Sequence, residues 1–248
     1  MEWQRQLERE FEHLLWGIPD RSGIIFSGGL DSSFLAYLIN MSDRDVRLYS
    51  VGTENSHDFS WTREAADILG LPLKFYILKD TDIINGIREI KKIGGNLDPV
   101  SILIEIPTYY ACKFAYDHFL VSGQGADELF LGYKKYETVN SSEADLKRVL
   151  ESEVPLERKI AGKWGKEIIY PYLEDGIVRI ASQIPPELKM LGNQRKYVLR
   201  KIAADFGLSD RISWKPKKAA QYSSGIVKAA RAIASSQGKK VHELINDL

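Results

Sequence analysis

Apolar residues recur at helical spacing at the start of the chain, where Leu7, Phe11, Leu14 and Leu15 share one face of MEWQRQLEREFEHLL among charged neighbours. The pattern predicts an amphipathic helix that ends near Gly17 and Pro19 and lies as an outer layer on a domain. The period then changes. GIIF, residues 23–26, reads as a short buried strand, and SSFLAYLI from Ser32 reads as a helix with a polar first turn. VRLYSV is strand-like, WTREAADIL is helical with an end at Gly70, and LKFYIL is strand-like again. A helix from about Thr81 to Lys92, a Gly-Gly-Asn break and a helix after Pro107 lead to HFLVS, residues 118–122, the fourth strand. Strands separated by helices of about ten residues are βαβ units, so the expected fold is α/β, a parallel sheet with helices on both faces.

After Tyr136 the strand pattern stops. Pro155, Pro171, Pro185, Pro186, Gly192 and Gly207 punctuate a mostly helical C-terminal part, in which RKYVLRKIAADFGL places Tyr197, Val198, Ile202 and Phe206 at helical spacing. ASSQGKK near the end reads as a loose tail element. The expected division is an N-terminal helix over residues 1–21, an α/β core over 22–136, and a helical part over 137–248 that completes the active site. Open α/β sheets bind ligands at the carboxyl ends of their strands. Three polar or glycine-rich stretches lie at such ends, residues 27–33, 52–58 and 122–127, and they are expected to converge on one crevice.

Composition narrows the partners. The 34 basic and 34 acidic residues cancel, which removes bulk charge as a reason to expect a polyanion. Locally, residues 211–240 carry Arg211, Lys215, Lys217, Lys218, Lys228, Arg231, Lys239 and Lys240 with no acid, a run that suits phosphate or a solvated face. The single cysteine, Cys112, excludes an internal disulfide and a cysteine-rich zinc site, and its helical context predicts a buried structural thiol. The charged amino terminus has no apolar h-region, and no run approaches eighteen apolar residues. The expectation is a soluble cytoplasmic chain without a membrane partner.

Chemistry concentrates in FSGGLDSSF, residues 26–34, where a strand turns into a helix. The first amides of a helix lack partners and carry the positive end of its dipole. Gly28 and Gly29 let the backbone approach a ligand, while Ser27, Ser32 and Ser33 add hydroxyls, an inventory that matches a phosphate. Asp31 would repel that phosphate unless a divalent cation such as magnesium stood between them. The stretch fits neither G-x-x-x-x-G-K-[ST] nor G-x-G-x-x-G.

SGGLDSS resembles the pyrophosphate-binding loop of the N-type ATP pyrophosphatases, whose members have the adenine nucleotide α-hydrolase-like fold. That resemblance implies cleavage of ATP between the α and β phosphates, adenylation of an oxygen and release of pyrophosphate into the loop. VSGQGADELFLGY, residues 121–133, is similar to the S-G-E-G-A-D-E-L-F-x-G-Y segment of the asparagine synthetase and β-lactam synthetase family. By this resemblance Gly123 borders the nucleotide, and Asp127 completes a magnesium site with Asp31. YSVG, residues 49–52, resembles the strand end that reads adenine, which implicates the backbone of Val51 and Gly52. LDPVS around Asp98 resembles a segment bordering the acceptor site. KEIIYPYLED resembles E-x-R-x-P-F-L-D and puts Glu167 on the family's glutamate, and WKPKK resembles R-x-K and puts Lys217 opposite the α phosphate, with Lys218 its rival.

The sequence also departs from the family. Position two is glutamate rather than cysteine and no glutaminase segment precedes the loop, so free ammonia, an amine or a separate glutaminase subunit would supply the nucleophile. Gln124 stands where the family has glutamate or tyrosine, and a neutral amide cannot act as a base, which shifts activation to Glu167. Leu103 and Glu105 replace small or polar residues, and Ile169 replaces an arginine, a loss of donors that weakens the case for aspartate. The expectation is a magnesium- and ATP-dependent synthetase that adenylates a small carboxylate, with aspartate the leading candidate, and then forms an amide. A tRNA-modifying relative using the basic run and a nucleotide-binding subunit without catalysis remain the alternatives.

Overall fold

Ser22, Gly23 and Ile24 are buried together at the centre of a strand, as a strand covered on both faces by helices requires. The computed structural model describes residues 2–54, 56, 58–138, 142–216 and 224–248, excluding the Asp58 side chain. Five strands, β1 (Arg21–Ile25), β2 (Asp45–Gly52), β3 (Leu73–Ile77), β4 (Phe119–Val121) and β5 (Glu167–Ile169), form one sheet in the order β3-β2-β1-β4-β5. Every pairing is parallel, with Ile24 opposite Leu48 on one side and opposite Val121 on the other. The α/β parallel sheet of the sequence reading is thus the fold observed.

Two apolar layers sandwich this sheet. On one face, Leu7 and Phe11 of α1 (Glu2–Leu14) pack with Phe34 and Leu35 of α2 (Leu30–Met41), where the Phe11 and Phe34 rings meet edge to face with centroids 5.1 Å apart. The helices Asp175–Gln183 and Tyr197–Asp205 share this layer through Ile177, Ile180, Leu199 and Ile202. The other layer holds α4 (Asp80–Gly94), α5 (Pro99–Phe114) and the helix Val154–Lys163, with Ile87, Ile106 and Ile160 all buried. The first layer also holds α3 (Asp58–Leu69) through Ala65 and Ala66, and this helix ends at Gly70 as its sequence predicts.

Three sequence expectations are corrected. Strands do not stop at Tyr136: β5 joins the sheet beside β4, drawn from the otherwise helical second half, and three residues are too short to display an alternation. The helix expected after Pro107 begins at Pro99 instead. Asp98 caps it by accepting hydrogen bonds from the amides of Val100 (2.9 Å) and Ser101 (3.1 Å), and Pro107 is carried inside, giving up one ladder bond. ASSQGKK is no loose tail either. Its first half closes the helix Ile226–Ser236, and the chain continues into the helix Val241–Asp247, which buries Leu244 and Ile245 and receives Lys91 Nζ on the Ile245 carbonyl at 2.6 Å. Burying two such side chains contributes roughly 1.5–3 kcal/mol each. Among the described residues no helix is long and apolar enough to cross a membrane.

Candidate active site

The strand order reverses at β1, whose neighbours are β2 and β4, so the loops that follow β1 and β4 diverge around a crevice at their carboxyl ends. The two loops touch there. A Cβ on Gly123, in the loop after β4, would come 3.2 Å from the Cβ of Asp31 and 3.4 Å from the amide nitrogen of Ser32. Hydroxyls hold the first loop together: Ser32 Oγ receives the amide of Ser27 at 3.3 Å and meets Ser27 Oγ at 3.2 Å, while the amide of Gly29 donates to Ser27 Oγ at 3.3 Å. Gly28 takes φ +71°, in the left-handed region, with Thr62 and Trp61 packed where a side chain would go. Gly29, which precedes α2, offers no side chain to cap its first turn, the arrangement that suits a helix N-terminus to an anion.

Support for this loop comes from α3. Trp61 Nε1 donates to the Gly28 carbonyl at 2.7 Å and Thr62 Oγ1 donates to the Ser27 carbonyl at 3.3 Å. The ammonium of Lys215 lies 3.3 Å from the centre of the Trp61 ring. Ser33, grouped with the loop in the sequence reading, is fully buried, and its hydroxyl meets no partner among the described residues. At the next strand end the backbone of Gly52 accepts the amide of Leu78 at 2.8 Å, and the amide of Thr53 donates to the Ser224 carbonyl at 2.9 Å. Val51 precedes it, 7% exposed.

Asp31 and Asp127, paired in the sequence reading, come together on a residue that reading missed. Lys196 Nζ lies 2.6 Å from both carboxylate oxygens of Asp31 and 2.7 Å from Asp127 Oδ1. Burial alone would favour the neutral amine, but Asp127 and Asp31 outweigh it and raise the Lys196 pKa, so the site holds a charged ammonium. Its backbone takes φ +58°, unusual for a side-chain-bearing residue and a conformation that clusters at functional sites. In GNQRKYVLR the sole signal was a lysine opening an apolar helix. The two carboxylates thus stand together at the loop's mouth. That donor set fits magnesium, which takes one or two carboxylates and completes its shell with phosphate and water. Among the described residues no group of three or more His, Cys, Asp or Glu is placed to hold a metal by itself.

Beyond β4 the surroundings become acidic. The side-chain amide of Gln124 donates to Glu153, whose other oxygen pairs with Arg148 at 3.2 Å. Glu105, on α5, and Glu157, on the helix Val154–Lys163, are 3% and 5% exposed, and both have raised pKa values because burial disfavours their charge. Glu128 is likewise pushed up to about 7 by burial, then by Asp127. Cys112 lies in the same region as the buried thiol predicted. Burial, then Glu157 and Glu105, push it to about 12, which makes it inert as a nucleophile.

Glu167 is not brought to this crevice. It pairs in register with Phe119 at the amino end of β5 and β4, away from the loops, and faces His118 Nε2 at 3.4 Å with its side chain 68% exposed. A parallel sheet puts the first residue of a strand on the side opposite its ligand edge, so activation of a nucleophile cannot fall to Glu167 as the sequence reading supposed. Lys217 and Lys218 lie outside the described residues. The neighbouring Arg200, 2% exposed, anchors the preceding turn by donating from Nη1 to the Lys215 carbonyl at 2.9 Å. Other members of the basic run are paired, Arg211 with Glu64 and Lys239 with Asp247.

A parallel sheet with a glycine-rich loop, two carboxylates and a buried lysine at its switch point defines an α/β domain with a polar crevice at its strand ends. The family profile described as asparagine synthase matches residues 20–158 and 140–247, and the chain belongs to that family. A Methanocaldococcus jannaschii protein, provisionally named asparagine synthetase (glutamine-hydrolysing) 1, is 34% identical over 92% of this chain and 51% of its own length. The root asparagine synthetase (glutamine-hydrolysing) of Pisum sativum is 27% identical over 82% of this chain and 39% of its length, and the Gallus gallus enzyme of the same name is 26% identical over 92% and 44%. The chain spans about half or less of the length of these curated relatives.

Proposed function

We propose that this chain is the synthetase part of an AMP-forming ligase: it binds ATP, adenylates a small carboxylate with release of pyrophosphate, and passes the acyl group to ammonia or an amine. The observation that carries the reading is Lys196 held between Asp31 and Asp127 where the loops after β1 and β4 meet. On this reading the adenine lies against the backbone of Val51 and Gly52. The triphosphate follows the loop, with Ser27, Gly28, Gly29 and Ser32 donating to its oxygens and Gly123 leaving room beside them. Asp31 and Asp127 would hold magnesium, which neutralises phosphate charge when bound.

An oxygen of the substrate carboxylate attacks the α phosphorus, and the bond to the bridging oxygen breaks with its electron pair leaving on pyrophosphate. The Lys196 ammonium stabilises that leaving charge from a site where water competes poorly. Lys217 stabilises the α-phosphoryl oxygens. A neutral amine then attacks the acyl carbon and AMP departs. The family name supports aspartate and ammonia as the pair to try first, and a separate glutaminase subunit would be one source of the ammonia.

The deciding experiment is exchange of labelled pyrophosphate into ATP, screened over aspartate, other small carboxylates and tRNA. Exchange that requires a carboxylate, with AMP and an amide formed on adding ammonia, supports the proposal. Exchange with tRNA alone would replace it, and binding of ATP with no exchange across the panel would sink it.

A further inference from the structure

Three buried polar atoms, Glu105 Oε2, Glu157 Oε2 and the Tyr170 hydroxyl, lack hydrogen-bond partners among the described residues, and they face one another. Tyr170 is 5% exposed, and its hydroxyl lies against the Glu157 carboxyl without the geometry of a formed bond. Thr108 serves one side of Glu105. Glu153, one helical turn before Glu157, adds a third carboxylate, but its charge is taken up by Arg148 and Gln124. Neither Glu105 nor Glu157 has a salt-bridge partner among the described residues. An uncompensated buried carboxylate is costly, and two facing each other more so, unless a cation or a proton joins them.

We propose that Glu105, Glu157 and Tyr170 form a binding site for an ammonium ion. Three unpartnered acceptors suit a small tetrahedral cation with N–H donors, which can direct one bond to each and leave a fourth free. Of the three residues Tyr170 alone lines a surface cleft, of about 300 Å³, whose wall also carries Arg158 and Glu174. Both carboxyls are shifted upward chiefly by burial, Glu105 further by Glu157 and Glu153, and Glu157 further by Glu153 with the Tyr170 hydroxyl partly opposing its shift. Gln124 links this cluster to the crevice through Glu153. An ammonium ion that passes one proton to a carboxylate oxygen of the pair becomes ammonia with a free lone pair, and the proton stays on the carboxyl. The site's purpose rests on the ligase reading, whereas its chemistry does not.

Thermal unfolding of the full chain without ATP tests it, in ammonium, potassium and tetramethylammonium chloride at matched ionic strength. Ammonium is expected to raise the Tm saturably beyond potassium. Glu105→Gln and Glu157→Gln, which keep side-chain volume, are expected to raise the half-saturating ammonium concentration about tenfold or more, and Tyr170→Phe to raise it less. Equal shifts with ammonium and potassium, or an ammonium shift retained in all three variants, overturn the site. If Glu157→Gln fails to fold, Glu105→Gln and Tyr170→Phe still decide. An ammonium-specific shift without pyrophosphate exchange leaves the site standing and sinks the ligase reading; exchange without the shift does the reverse.

Discussion

The indole of Trp61 donates its hydrogen bond to the carbonyl oxygen of Gly28, so a side chain on α3 fixes the loop that follows β1. Lys215 stacks on the outer face of the same ring. Phenylalanine at this position keeps the apolar body and removes the donor. Trp61→Phe is expected to raise the KM for ATP about three- to tenfold with kcat and Tm little changed, since one such bond is worth roughly 1 kcal/mol. Steady-state kinetics at varied ATP checks this, and an unchanged KM would mean the loop holds its shape unaided.

Lys196→Met removes the buried ammonium that Asp31 and Asp127 share. Breaking a buried ion pair from one side costs about 3–5 kcal/mol, so urea unfolding should show a loss of that order. Adding Asp127→Asn to the same chain should recover part of the loss, because the two residues are coupled. Pyrophosphate exchange should fall at least about a hundredfold in the single variant.

Glu167→Gln changes an exposed side chain whose partner is His118 at the far end of the strands. Exposed pairs are worth roughly 0–1 kcal/mol, so stability should fall by no more than about 1 kcal/mol and exchange should stay within about twofold. A large loss of exchange would return Glu167 to the reaction.

Stability should fall as the pH rises above the ordinary glutamate value. Glu105 and Glu157 hold their protons more tightly folded than unfolded, so the native state binds more protons over that window. Their contribution is complete below the unfolded value near 4.5 and is lost as the pH climbs through the raised folded values. For Glu157, raised to about 7, the loss between about pH 5 and pH 8 should be on the order of 2 kcal/mol, and Glu105 adds to it in the same direction. Glu157→Gln should flatten the slope, read from denaturant unfolding across that range without ammonium.

Much of this architecture was legible in the sequence because short apolar runs alternate with helical periods from β1 to β4, even though the helix before β4 starts at Pro99 rather than after Pro107. The glycine-rich loop was legible too, since its chemistry is contiguous from Ser27 to Ser33. What escaped was whatever depends on distant residues meeting. Lys196 earns its place only through contact with Asp31, 165 positions away, and nothing local distinguishes it from a surface lysine. Glu167 was misplaced for a related reason: a motif fixes where a residue lies along the chain, while the end of the strand it occupies is decided by the register of β5 on β4. Glu105 stood out in the sequence as a missing donor, and burial beside Glu157 turned it into an acceptor looking for one.

The pairing of β1 with β4 also bears on how the chain reaches its native state. Gly23 meets Leu120 across roughly a hundred intervening residues, and β5 must then add to β4 from farther along. Closing loops of that length must precede contact between the two halves of the crevice, so this edge is expected to assemble late. A nascent chain released before β5 emerges would carry β4 as an open sheet edge, the condition in which strands seek the wrong neighbour.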